Sequence, residues 1–212
     1  MIKTMSLLKI LTFSITLLSF IINIKGQDTK KTFKIDKQIW MEENLNVSHF
    51  QNGDVIPEAK TDKEWEKAGN EGKPAWCYYD NKLGNGKIYG KLYNWYAIND
   101  SRGLAPRGWH IPTYKEFDTL SNFVYGKVVK TIGQGTGVNS DGLPALFAGA
   151  RSYYKDVPKY KNFIDSGTIA YFWMATKFDA TNADGIYLNN IGKFTFNEQN
   201  KGFGYSVRCI KD

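Results

Sequence analysis

The chain has 212 residues, a formal charge of +7, 15% aromatic residues, 20 glycines and two cysteines. That length suits one domain with a substantial core and is short for two. The positive charge is too modest and too scattered for a nucleic-acid binder, and the lack of long Ala/Leu/Glu/Lys stretches argues against a helical bundle.

Residues 1–26 carry Lys3 and Lys9, then an uncharged apolar run over 10–24, then Lys25-Gly26, which is the layout of a secretory signal peptide. A membrane-spanning helix wants about 20 apolar residues, and this run offers 15. Cleavage after Gly26 would leave 186 residues at a formal charge of +4, because three lysines depart with the segment. No cysteine follows the run to take a lipid. The expectation is an unanchored chain exported to the periplasm, the outer surface or the medium, with 27–32 a short linker and 33–212 a single domain.

Residues 33–40 alternate apolar and polar side chains and read as a first strand. Thr61-Asp62-Lys63-Glu64 is a capping box ahead of Trp65 and Ala68, and Gly69 can stop the helix, which predicts a short helix over 62–68. A strand over 75–79 is followed by a stretch dense in turn formers at 80–86. The run 88–98 is apolar on every side and reads as strand turning into a helical turn. Pro106-Arg107-Gly108 is a turn, Trp109-His110-Ile111 is extended, and Pro112 keeps the chain out of helix until Thr113 caps. With Glu116, Thr113 forms a second capping box, and Phe117, Leu120, Phe123 and Val124 follow at helical spacing. Residues 132–141 read as a loop. Strands are expected over 143–151, 163–164, 170–175, 185–188 and 204–210.

Cys77 and Cys209 are the only cysteines. In an exported chain an even pair is expected to be oxidised. A Cys77–Cys209 disulfide would close a loop worth roughly 5 kcal/mol in the chain-entropy model. Two buried free thiols, or one reactive thiol, are the competing readings.

Three stretches carry a family resemblance: 90–97 (Gly-Lys-Leu-Tyr-Asn-Trp-Tyr-Ala), 104–113 (Leu-Ala-Pro-Arg-Gly-Trp-His-Ile-Pro-Thr) with Glu116, and 202–212 (Gly-Phe-Gly-Tyr-Ser-Val-Arg-Cys-Ile-Lys-Asp). Residues 40–45, 142–151 and 171–176 fit the same pattern in order. Together they resemble the Fibrobacter succinogenes major paralogous domain family. The resemblance implies an α+β, C-type-lectin-like domain related to the sulfatase-modifying-factor fold, with short twisted antiparallel strands, two short helices and long loops. It also implies secreted or surface-displayed bacterial proteins of unsettled biochemical function.

Enzymatic relatives of that fold use paired active-site thiols or an iron held by histidines and a carboxylate. Here His49 and His110 are the only imidazoles, and they lack the spacing of a helix-borne metal site. No Gly-x-Ser-x-Gly elbow accompanies either histidine. Asp179, Thr181, Asn182 and Asp184 place oxygens in one loop, so Asp179, Asn182 and Asp184 are calcium candidates to weigh against an ordinary turn. Asp80, Asn81 and Asn85 are a second such group. The leading expectation is a secreted, non-catalytic module that recognises a glycan or a protein ligand at a loop surface carrying Trp76, Trp95, Trp109 and Trp173. An enzyme of the sulfatase-modifying type, a carboxylate-based hydrolase and a structural matrix protein are the alternatives.

Overall fold

The computed structural model describes residues 30–124, 129–132, 136–139, 144–153, 162–189 and 193–212. The expected signal peptide lies outside them. Among the described residues, four α-helices and several small antiparallel sheets make an α+β domain.

The chain opens with a hairpin, β1 (Thr32–Ile35) and β2 (Gln38–Met41), paired Thr32 to Met41 and Ile35 to Gln38. The single strand expected over 33–40 is therefore two. Asp36 at φ 51° makes the reversal, in the left-handed region that a short polar side chain tolerates. The first strand also begins within the expected linker, at Thr32.

Helix α1 (Asp62–Asn70) starts at the expected capping box, with Thr61 Oγ1 accepting from the Glu64 N–H and Glu64 reaching back to the Thr61 N–H. After β3 (Trp76–Cys77) comes a 3₁₀ turn, Tyr79–Asn81, and then α2 (Leu83–Tyr89). The expected turn at 80–86 is thus mostly helical. Strand β4 (Leu92–Tyr93) pairs with β3, and one turn of helix, α3 (Trp95–Ile98), is capped by Asn94, whose side chain accepts from the Ala97 N–H.

Strand β5 (Trp109–His110) precedes α4 (Tyr114–Val124), the second of the two helices expected. Strands β6 (Val129–Ile132), β7 (Thr136–Asn139) and β8 (Pro144–Leu146) form one small sheet, so the expected loop over 132–141 contains a strand. The expected strand over 143–151 is interrupted after β8 and resumes as β9 (Ala150–Arg151), which pairs with β10 (Phe163–Ile164). Gly149 sits at the break with φ 67°, where an added Cβ would strike the Ile164 carbonyl, so only glycine fits.

The longest strands, β11 (Ile169–Lys177), β12 (Asn182–Asn189) and β13 (Phe194–Asn200), form a meander. Successive residues of β11 face opposite ways, and this divides the core. Trp173 points into a cluster with Trp76, Trp95, Tyr93 and Tyr205, while Phe172 and Met174 join Trp40, Phe117 and Ile186.

The segment 204–210, expected as a strand, is largely irregular and ends in β14 (Ile210–Lys211). It bonds successively to several elements. Tyr205 exchanges both backbone bonds with Tyr93, the Ser206 carbonyl accepts from Trp173, and the Val207 and Cys209 carbonyls accept from Leu45 and Met41. β14 then lies between β2 and β5. Hydrogen bonds thereby join the two ends of the domain.

Candidate functional site

The sulfurs expected to form a disulfide are two free, buried thiols. Cys77 packs with Ala59, Trp65, Ala75 and Leu92, whereas Cys209 belongs to the cluster around Trp95 and Tyr205. Each fills a different part of the core as a small hydrophobe. Burial pushes both thiols up to about 12, so neither is a nucleophile at neutral pH.

The four tryptophans expected at a loop surface are interior. Trp76, Trp95, Trp109 and Trp173 are all buried. Three have their indole N–H groups tied to backbone carbonyls: Trp76 to Ile56, Trp95 to Met174 and Trp173 to Tyr93. Each such ring brings a large apolar area to the core, and its N–H finds a partner there.

The first calcium candidate is a closed turn. The Asp179 carboxylate accepts from the Thr181 and Asn182 backbone N–H groups and from both of their side chains. These bonds hold its carboxyl down at about 2. The neighbouring Asp179 and Ala180 carbonyls both accept from Lys201 Nζ at 2.6 Å. An ammonium thus stands where carbonyl ligands would meet a cation. Asp184 sits within β12, opposite Glu198. In the second candidate, the Asn85 side chain donates to the Tyr79 carbonyl and Asn81 accepts from Arg151. Among the described residues, no group of three or more His, Cys, Asp or Glu side chains could hold a metal ion.

His110 lies on the expected extended stretch, in β5, and its side chain is 39% exposed. It is clamped, with Nε2 2.8 Å from Glu116 and Nδ1 2.8 Å from Asp212. With both nitrogens occupied, the imidazole is not placed to take a substrate proton. Burial works against its charged form, but the bonds to Glu116 and Asp212 outweigh this and raise it above its ordinary 6.5. Glu116, likewise opposed by burial, is held below its ordinary 4.5 by the Thr113 backbone N–H and by His110.

The His110 contribution to stability is therefore complete below about pH 6.5 and is lost as pH rises through the higher folded value. That of Glu116 is complete above about pH 4.5 and is lost as pH falls through its lower folded value. Partial exposure limits the gain to under about 1 kcal/mol. In urea unfolding, the wild-type chain is expected to lose more stability between about pH 5.5 and about pH 8.5 than His110→Gln does. Equal losses would show that the clamp has no charge-dependent strength.

A cleft of about 280 Å³ opens beside α2, lined by Lys31, Glu42, Glu43, Asn44, Asn46, Gly86, Lys87, Ile88, Gly90 and Leu146. An adjoining depression of about 260 Å³ shares Lys31, Glu43, Asn44 and Asn46 and adds Lys30 and Val47. The local fold follows from the end of α2, whose last carbonyls need partners. Asn46 Nδ2 donates to the Gly86 carbonyl, and Asn44 Nδ2 donates to that of Tyr89. Gly90, at φ 73°, lets the backbone close onto the Asn44 and Leu45 carbonyls, where a Cβ would come within 2.9 Å.

Asn44 is the fixed floor of the cleft. Its amide nitrogen also donates to Ser206 Oγ, and its oxygen accepts from Arg208 Nη2 at 2.7 Å. The Arg208 guanidinium is buried beneath and lies over the Phe172 ring. Around this floor stand two carboxylates, an amide, two ammonium groups and the Ile88 side chain, which is 53% exposed.

A depression of about 300 Å³ along α1 is comparable in size, but its polar groups serve the helix. Glu64 completes the capping box, and Glu71 pairs with Lys73 at 2.7 Å. The α2 cleft is therefore the better candidate. Sequence reasoning missed it, because residues 42–46 and 86–90 show no shared motif and meet only through the capping of α2.

Among the described residues, no helix is long and apolar enough to cross a membrane. No curated protein and no solved structure matches the chain. The Fibrobacter succinogenes major domain model matches residues 33–211. That match runs from within the first strand through the last, and the chain belongs to the Fibrobacter succinogenes major domain family.

Proposed function

We propose that this protein is an exported, non-catalytic binding module of C-type-lectin-like architecture that takes a saccharide in the α2 cleft without calcium. The observation that carries the reading is the composition of the cleft around a clamped Asn44. Carboxylates accept hydrogen bonds from sugar hydroxyls, while amides and ammonium groups donate to them. An exposed Ile88 offers apolar surface to the C–H groups of a sugar ring. The volume lies at the lower edge of the usual range for small-ligand sites, about 300–1,000 Å³, and suits one or two sugar units. A preorganised floor reduces the ordering cost of binding.

Two features support the lectin-like architecture: among the described residues, β14 joins the first and last strands of the domain in one sheet, and long irregular segments separate short strands. The non-catalytic part of the proposal rests on the inert thiols and the occupied imidazole.

A glycan array with residues 27–212, followed by titration of the best hit, tests the proposal. Glu43→Gln combined with Asn46→Ala is expected to weaken binding about ten-fold or more, a loss of at least about 1.4 kcal/mol. Absence of binding to every glycan at millimolar concentration would remove the saccharide reading.

A further inference from the structure

The sequence contains two Asn-Gly pairs, Asn52-Gly53 and Asn85-Gly86. In such a pair the side-chain carbonyl carbon of the asparagine is open to attack by the glycine's backbone nitrogen, because no Cβ obstructs the approach. The fold gives the two pairs opposite surroundings.

Asn52 and Gly53 are exposed in a tight turn, and no atom beyond the chain neighbours lies within 4 Å of where a Cβ of Gly53 would stand. The Asp54 backbone N–H donates to Asn52 Oδ1 at 3.0 Å. That bond folds the side chain back along the backbone as an Asx turn, which brings its carbonyl carbon close to the Gly53 nitrogen. It also draws electrons toward Oδ1, where negative charge gathers when the carbonyl is attacked. The carboxylates of Asp54 and Asp100 would oppose loss of the Gly53 amide proton, but both are paired with Arg102, at 3.1 and 2.8 Å. The Gly53 N–H donates to the Phe50 carbonyl at 2.9 Å, and this exposed bond needs only a local opening to free the nitrogen.

Asn85 is held away from the same chemistry. It lies inside α2, its side chain donates to the Tyr79 carbonyl at 2.8 Å, and Gly86 is buried against the Tyr78 ring. Helical backbone angles turn the following nitrogen away from the side-chain carbonyl, so ring closure there requires the helix to unwind.

We propose that Asn52 is a self-modification site, at which the chain deamidates through a succinimide without an enzyme. Hydroxide takes the Gly53 amide proton, and the nitrogen forms a bond to Asn52 Cγ. The Cγ–Nδ2 bond then breaks, and ammonia leaves with a proton from water, which regenerates the hydroxide. A second water opens the five-membered ring at either carbonyl. Opening at Cγ gives aspartate, and opening at the backbone carbonyl gives isoaspartate. The net change is one water taken up and one ammonia released, with nothing oxidised or reduced.

The product alters its surroundings. A new carboxylate joins Asp54 and Asp100 around the single guanidinium of Arg102. In isoaspartate the backbone also gains a methylene within the turn closed by the Phe50 N–H and the Asp54 carbonyl. Gln51, beside that turn, holds the neighbouring loop by donating from its backbone to Gly103 and from its side chain to Ala105. Modification therefore loosens the grip of one loop on the other.

The test incubates native residues 27–212 at mildly alkaline and mildly acidic pH and follows tryptic peptides by mass spectrometry. Peptide 38–60 is expected to gain the mass of an amide-to-acid exchange, to split into two chromatographic forms, and to yield fragments that place the change at residue 52. Conversion at Asn52 is expected to be at least about ten-fold faster than at Asn85 in peptide 83–87, and to slow as pH falls. In denaturant the two rates should converge, and Asn52→Gln should remove the new species. Hydrogen exchange at the Phe50 and Gln51 amides should be faster in the aged chain than in the fresh one. An unmodified Asn52 in the native chain would overturn the proposal, as would equal native rates at the two asparagines or a rate indifferent to pH. These outcomes are all read on the wild-type chain, so none depends on a variant that folds.

Discussion

Trp173→Ala is expected to lower the unfolding free energy by about 3–5 kcal/mol. The side chain is 0% exposed, its N–H donates to the Tyr93 carbonyl at 2.8 Å, and its ring lies 4.5 Å from that of Tyr205. Tyr205 stacks in turn on Tyr171 at 4.9 Å. Truncation removes the apolar contact and leaves a cavity that this ring stack can fill only partly. A domain of this size has a total stability of about 5–15 kcal/mol, so the variant would sit close to its unfolding threshold. Urea unfolding followed by far-ultraviolet circular dichroism measures the loss. Saccharide affinity, once corrected for the folded fraction, is expected to be unchanged. A variant that unfolds like wild type but no longer binds sugar would return Trp173 to a ligand surface.

The two cysteines provide the second large effect. In the native chain neither sulfur is expected to react with an aromatic disulfide reagent at the rate of the unfolded chain. If reaction requires global opening, protection is on the order of 10³-fold or more. In denaturant without reductant, two thiols per chain should titrate. Zero thiols would show that Cys77 and Cys209 had paired, as the oxidising surroundings of an exported chain favour. Two fast native thiols would place both sulfurs in solvent and revive an enzymatic reading. The expected result, slow in the native state and two when unfolded, follows from the separate packing of the sulfurs.

Several elements were readable because their causes are local. The capping boxes of α1 and α4 each join residues three apart, so four consecutive side chains are enough to announce the helix start. The consecutive aromatic residues Tyr171, Phe172 and Trp173 of β11 were visible for the same reason. Helix α2 was hidden, because Leu-Gly-Asn-Gly reads as a turn. Gly86 is there because the Tyr78 ring lies where its Cβ would be, a constraint imposed by another part of the fold. Strand β13 escaped notice, as did β7, which falls in the Gly-rich stretch expected to be a loop. The hairpin at Asp36 was missed because its two-residue turn, Asp36-Lys37, lacks the glycine that announces most such turns.

The candidate sites divide in the same way. Richness in aromatic side chains was evident, but composition does not say which rings face water. Trp76, Trp95, Trp109 and Trp173 went to the core, and Tyr114, which the sequence reading passed over, stayed on the surface. Glu42, Glu43, Asn46 and Lys87 attracted no attention as single residues, and they gain significance only by standing around Asn44.

The sequence by itself determined the family, the α+β class and the two capped helices, because motif order and three-residue spacings are properties of the chain alone. Tertiary structure decided that the sulfurs stay apart, that the four candidate tryptophans are buried and that a cleft beside α2 remains open. Those outcomes depend on which distant segments compete for the same space, and close packing in three dimensions settles that competition.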